Sequence, residues 1–88
     1  MKTAKQMFEQ LDFEFEEWDN GLVNGINYRK RGKFEDTVIM FSVSHKCVLV
    51  SNLANYPIER IHTLRPKNID TDLYKAINKQ CEELGWLE

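Results

Sequence analysis

The sequence lacks several features that would place a protein in a specialised class. Its 88 residues include only two cysteines, two prolines and four glycines, and the formal net charge is −2. Two cysteines do not make a disulfide framework, and so little proline and glycine argues against disorder. No apolar run exceeds four residues, as in Val38–Phe41, whereas a membrane-spanning helix needs about 20. The small net charge argues against a general polyanion binder.

What the chain does contain is typical of one soluble globular domain over residues 1–88. Hydrophobic residues make up 42 % and charged residues 30 % of the sequence. A chain of this length buries roughly 60–65 % of its unfolded surface, which is enough for one modest core. The N-terminal segment MKTAKQMFEQ lacks the apolar centre of a secretory signal, so we expect a cytoplasmic protein with no membrane association.

Both ends of the chain are predicted to be helical. At the start, Thr3 and Gln6 fit a capping box, Asp12 ends the pattern, and the 3.6-residue stripe consists of Ala4, Met7, Phe8 and Leu11. At the other end, Asp70 is a natural N-cap and Gly85 fits the residue after the helix, where a left-handed conformation is common. The stripe between them consists of Leu73, Ala76, Ile77, Cys81 and Leu84.

Between the helices the hydrophobic period changes to two, which predicts strands. The first begins in FEFEEWD at residue 13, and the others cover 23–30, 36–43 and 47–51, with turns at Asn20-Gly21 and at 44–46. Segment 52–69 is irregular, and its IERIHTL stretch fits a short helix or an edge strand. The order α-β-β-β-β-α predicts a two-layer α+β domain, with both helices on one face of an antiparallel meander of about four strands.

The third and fourth strands carry apolar residues at both odd and even positions, and therefore on both faces of the sheet. Two short helices can cover only one of these faces. We therefore expect a second apolar surface, formed by Val38, Met40, Val48 and Val50. Either the 52–69 segment or Trp18 covers it, or it is the contact surface of a homodimer or another protein partner.

A basic stretch, YRKRGKFED at residues 28–36, lies where the second hairpin is predicted to turn. Its cations are Arg29, Lys30, Arg31 and Lys33, and Gly32 is expected to supply a positive φ. Such a hairpin tip could contact phosphates of a nucleic acid. The alternative is a solvated hairpin tip, since charged residues are expected at such a tip. Glu35 and Asp36 also offset part of its positive charge.

A second basic group falls in the irregular segment and consists of Arg60, His62, Arg65 and Lys67. Loops often carry recognition on a rigid scaffold, so the two basic groups would form a binding surface if they met on one edge. The alternative is that they neutralise nearby acids.

Metal and catalytic chemistry find little support in the sequence. The residues His45, Cys47, His62 and Cys81 are a set that zinc accepts, but their spacing is irregular and Cys81 lies on the apolar stripe of a helix. No carboxylate orients a histidine beside a nucleophile, and no glycine-rich phosphate loop is present. We therefore predict no metal, no cofactor and no catalytic residue.

The two ends of the chain, KTAKQMFEQLDFEF and AINKQCEELGW, resemble the ends of small proteins encoded by phages and prophages of Gram-positive bacteria. The resemblance covers about 25 residues, all near the two predicted helices, and Asp12 replaces the glycine expected after the first one. It implies a mobile-element context in a bacterial cytoplasm, and it implies no activity or catalytic residues.

Together these observations predict a small non-enzymatic protein that binds another protein, with a homodimer as one form of that binding. A nucleic-acid-associated protein using the two basic groups is the first alternative. The second is a weak enzyme or a protein that sequesters a small molecule in a pocket between the sheet and residues 52–67.

Overall fold

The structure, a computed structural model, describes residues 2–19, 24–54, 64–66 and 68–87. In chain order its elements are α1 (Ala4–Gln10), β1 (Glu14–Asp19), β2 (Asn24–Lys30), β3 (Glu35–Ser42), β4 (Cys47–Ala54), β5 (Leu64–Pro66) and α2 (Thr71–Glu83). The strands form one antiparallel sheet in sequence order. The predicted meander with terminal helices is confirmed, and β5 adds a short edge strand in the segment that the sequence left open. Of the described helices, neither is long and apolar enough to span a membrane.

Helix α1 begins and ends where the sequence pattern indicated. The hydroxyl of Thr3 accepts a hydrogen bond from the Gln6 amide at 3.2 Å, and the Gln6 side chain accepts one from the Thr3 amide at 2.9 Å. This capping box satisfies two backbone donors of the first turn. After the helix, the amides of Asp12 and Phe13 donate to carbonyls of the last turn, which is a Schellman motif. Asp12 has a φ of 69°, so an aspartate occupies a backbone conformation that favours glycine.

Helix α2 ends in the same motif, with glycine at the left-handed position. The Asp70 carboxylate accepts a hydrogen bond from the Leu73 amide at 2.8 Å and caps the start of the helix. Gly85 has a φ of 77°, and the amide of Trp86 donates to the carbonyl of Cys81 at 3.0 Å. Trp86 is thereby turned back against the hydrophobic core.

The hydrophobic core lies between the two helices and one face of the sheet, which we call the helix-covered face. Its buried members come from both helices, from strands β2 and β3 and from the residue before β1: Phe8, Phe13, Tyr28, Ile39, Phe41, Leu73 and Ala76. The rings of Phe8 and Tyr28 are stacked with centroids 3.8 Å apart, and Phe41 meets both rings edge-on. Because aromatic side chains bury so much surface each, a few of them suffice to fill this small core.

A buried hydrogen bond connects the sheet to α2 within this core. The Tyr28 hydroxyl donates to Oε1 of Gln80 at 2.5 Å, and both residues are buried. Burial raises the pKa of Tyr28 to about 12, with smaller contributions from the carboxylates of Glu83 and Glu9. The sequence analysis missed this pair, although Gln80 follows Leu73 by seven residues and therefore falls on the apolar stripe of α2.

The predicted second apolar surface is wrong in its membership. The observed register pairs Phe41 with Val48 and Ile39 with Val50, so both valines of β4 lie on the helix-covered face and pack against the core. On the opposite face, Val38 pairs with Ser51, and Met40 pairs with Leu49. The prediction assumed a turn of three residues, whereas the structure has four, 43–46, and a shift of one residue moves every side chain to the other face.

The role predicted for Gly32 is also wrong. Its φ lies outside the left-handed region, but the Cβ of any other residue at this position would clash with the carbonyl oxygen of Glu35. The glycine is therefore needed because two stretches of backbone approach closely after β2, and any larger residue would have to move one of them.

Candidate functional site

The hairpin between β2 and β3 does not gather its four cations on one surface. Arg29 lies on the opposite face, between two carboxylates: its Nε is 3.3 Å from Oε1 of Glu16, and its Nη1 is 3.1 Å from Oδ2 of Asp36. The Asp36 side chain is only 7 % exposed, and it also accepts a hydrogen bond from the Gly32 amide at 3.3 Å. Arg29 therefore balances a buried acid, which is a structural task.

The other three cations of the hairpin point in different directions. Arg31 is exposed and lies 3.6 Å from Oε2 of Glu14. Lys30 belongs to the helix-covered face, where its ammonium lies 6.0 Å from the centroid of the Phe13 ring, and Lys33 lies over the ring of Phe34. Two of the four charges are thus offset by carboxylates, and the remaining two each lie near an aromatic ring, Phe13 and Phe34 respectively.

The second basic group falls mostly outside the described residues. Arg65 belongs to β5, where its backbone pairs with Asn52. Its side chain, together with Arg60, His62 and Lys67, lies outside the described part of the chain. The same is true of most of the loop that would close the small-molecule pocket predicted between the sheet and residues 52–67.

The metal and nucleophile candidates are dispersed. Cys47 is exposed at the start of β4, whereas Cys81 is partly buried in α2, where burial raises the pKa of its thiol and disfavours the reactive thiolate. Ser42 Oγ and His45 Nδ1 share a hydrogen bond of 3.1 Å across the β3–β4 turn. Within residues 2–19, 24–54, 64–66 and 68–87, no three metal-binding side chains of His, Cys, Asp or Glu converge.

A shallow groove of about 560 Å³ runs between the two helices. It is lined by Lys2, Met7, Gln10, Leu11, Asp72, Lys75 and Lys79. Lys2 donates to Oε1 of Gln10 at 2.8 Å, and Lys79 lies 3.5 Å from Oε1 of Glu82, so two of the three rim lysines have polar partners. The groove offers an open, weakly basic surface, and no enclosed ligand site.

One edge of the sheet is protected by charge. Strand β1 forms this edge, and its sequence EFEEWD carries four acids in six residues. The carboxylates of Glu14 and Glu16 are engaged by Arg31 and Arg29, and Glu17 is exposed. Acidic side chains along an outer strand repel a second acidic strand and so discourage pairing with another chain.

The other edge contains a segment with no such protection. Strand β5 pairs only with Ser51–Leu53, so Cys47–Val50 has β3 on one side and, among the described residues, no strand on the other. We call Cys47–Val50 the β4 edge segment. It contains no charged residue and no proline, and half of its side chains face away from the helices. Within the described part of the chain, the outer side of its backbone is the kind of strand edge to which an added strand can pair.

The most exposed large side chain of this segment is Leu49, which is 44 % exposed on the opposite face beside the partly buried Met40. Four residues were expected to form a partner surface. Met40 borders the β4 edge segment, and Val48 and Val50 belong to the segment, with side chains on the helix-covered face. Val38 is buried. The predicted surface did not include Leu49, because the length of the β3–β4 turn, which sets the register, could not be derived from composition.

Comparison with models of protein families, with curated proteins and with solved structures found no match.

Proposed function

We propose that this chain is a non-enzymatic accessory protein, encoded by a phage or prophage of a Gram-positive bacterium, that binds a protein in the bacterial cytoplasm. The single observation that supports binding is the β4 edge segment, which combines an exposed Leu49 with strand backbone that has no second partner strand among the described residues. A partner adds an extended segment there as a further strand, with main-chain hydrogen bonds giving affinity and alternate side chains giving specificity.

The geometry favours protein binding over nucleic-acid binding at the described surfaces. Arg29 and Arg31 lie beside carboxylates, and a nucleic acid would have to compete with these acids for the guanidinium groups. An uncharged strand edge has the opposite preference, because it gains nothing from phosphate and pairs with peptide backbone.

The test is capture from a Gram-positive host lysate treated with nuclease, with three tagged baits and identification by mass spectrometry. The baits are the wild type, Leu49→Glu and Leu87→Glu. Leu49 and Leu87 are 44 % and 54 % exposed, so the two variants add the same charge at similarly exposed leucines, one within the β4 edge segment and one in the chain beyond α2. We expect a protein that is retained by the wild type and Leu87→Glu and is lost by Leu49→Glu.

Capture of the same proteins by all three baits would show that the β4 edge segment is not the surface that binds them. Recovery of nucleic acid alone from an untreated lysate, lost on digestion, would instead make the cations of residues 28–36 the site.

A further inference from the structure

We infer that the partner fitting the β4 edge segment is a second copy of this chain, paired antiparallel with the same segment to form a twofold dimer with one continuous sheet. The inference rests on the proposed function, because it uses the same edge and names what binds there. The segment itself has the properties that an added strand needs: it is extended, uncharged and rich in β-branched and aliphatic side chains.

The contrast between the two edges selects this pairing. If β4 of one copy met β1 of the next, the contact would be head-to-tail and would continue into an open filament. Strand β1 discourages that arrangement because an added strand would have to displace water from its charged side chains. Pairing of β4 with β4 closes after two copies and leaves both acidic edges at the outside of the assembly, in water.

The alternation of side chains restricts the register. In β4 the even-numbered residues belong to the helix-covered face and the odd-numbered residues to the opposite face. A twofold axis perpendicular to the sheet keeps each face on its own side, so residues that pair must have the same parity. The axis therefore passes through Val48 or through Leu49, since these are the central residues of the segment. In either register the helices of both copies cover the same face.

The opposite face gains most from this arrangement. Met40 and Leu49 are directly paired neighbours there, and the dimer brings the Leu49 side chains of the two copies close to each other across the new boundary. The exposed leucine thereby becomes part of an apolar strip that crosses four strands. Strand β5 limits the ladder, because its pairing with Ser51 occupies the edge beyond Val50.

A ladder this short makes a small interface, below the size of most stable complexes, and we therefore expect reversible dimerisation in the range of about 0.01–1 mM. Sedimentation velocity or light scattering over that range should show the wild-type mass rising from monomer towards dimer. Leu49→Glu should remain a monomer throughout, and Leu87→Glu should associate like the wild type.

A cysteine cross-link measures the register and does not depend on the charged variants. Both native cysteines are first removed by Cys47→Ser and Cys81→Ser. Three variants of that protein, each with one new cysteine, are then oxidised at high protein concentration: Val48→Cys, Leu49→Cys and Leu87→Cys. Directly opposed residues in an antiparallel pair have Cα atoms about 4.5–5.5 Å apart, which suits a disulfide. We expect rapid dimer formation from whichever of Val48→Cys and Leu49→Cys lies on the axis, and slow formation from Leu87→Cys.

A wild type that stays monomeric up to about 1 mM, or cross-linking no faster at the edge than at Leu87, would overturn the second-copy inference. The proposed function would survive that result if Leu49→Glu still lost a captured protein. The converse result is a dimer that Leu49→Glu breaks, with the same proteins captured by all three baits. That result would support self-pairing at the β4 edge segment and overturn the binding of another protein there.

Discussion

The two edges of this sheet carry the same backbone groups and differ in their side chains. Strand β1 has four acids in six residues, while the β4 edge segment has four uncharged residues in succession. An unpaired strand presents donors and acceptors to any other strand, and charge is one of the means by which proteins prevent that encounter. Among the described residues, the comparison indicates one edge that charge protects against association and one that has no such protection.

The largest expected effect separates the two sides of the β4 edge segment. Val50 packs against the core from the helix-covered face, whereas Leu49 points away from it. We expect Val50→Glu to lower the free energy of unfolding by about 3 kcal/mol, because a short charged side chain is forced against apolar neighbours. Leu49→Glu should cost less than about 1 kcal/mol. Urea unfolding followed by circular dichroism measures both, and equal losses would show that Leu49 is core.

The next effect compares two arginines near the protected edge. Arg29→Ala leaves the buried Asp36 carboxylate without its cation, and we expect a loss of about 2–3 kcal/mol, less than for a fully buried pair because Arg29 is 24 % exposed. Arg31→Ala breaks an exposed pair with Glu14 and should cost under about 0.5 kcal/mol.

The control for this pair is Asp36→Asn in the Arg29→Ala background, which removes the stranded charge and should recover part of the lost stability. Urea midpoints that fall equally for Arg29→Ala and Arg31→Ala would contradict the assignment of Arg29 to a structural role.

The smallest effect on stability tests the charge at the protected edge. Glu14→Gln with Glu17→Gln should change the free energy of unfolding by less than about 0.5 kcal/mol. In a Leu49→Glu background, which closes the other edge, the double substitution should raise self-association measured by sedimentation, because β1 loses like-charge repulsion.

A matched variant, Glu9→Gln with Asp72→Asn, removes two exposed acids from the helices and should leave association unchanged. If both double variants associate equally, net charge is responsible and the position of the acids on β1 is not.

The features that the sequence predicted correctly are those set by neighbouring residues. The Thr3–Gln6 capping box, the Asp70 cap and the Gly85 turn each depend on contacts within a few positions, so their residue types are sufficient evidence. Asp12 was predicted as a terminator for the same reason, and its left-handed φ explains how an aspartate ends the helix.

The candidate site was harder to predict because it depends on register and on distant contacts. One additional residue in the turn after Ser42 decides whether Leu49 faces the core or water. The exclusion of Arg29 from the basic surface depends on Asp36, which pattern analysis treated only as an offsetting charge. The need for Gly32 arises from the carbonyl of Glu35, and no local propensity encodes that approach.

The hydrogen bond between the Ala4 amide and the Glu83 carboxylate, 2.8 Å long, has a consequence for the order in which the chain acquires its structure. Helix α1 has only seven residues, and a helix of that length is unstable in water without tertiary support. One of its first donors is satisfied by a residue 79 positions later, and its Phe8 is buried against the sheet. During synthesis, α1 therefore cannot complete its hydrogen bonds until Glu83, 79 positions later in the sequence, has been made.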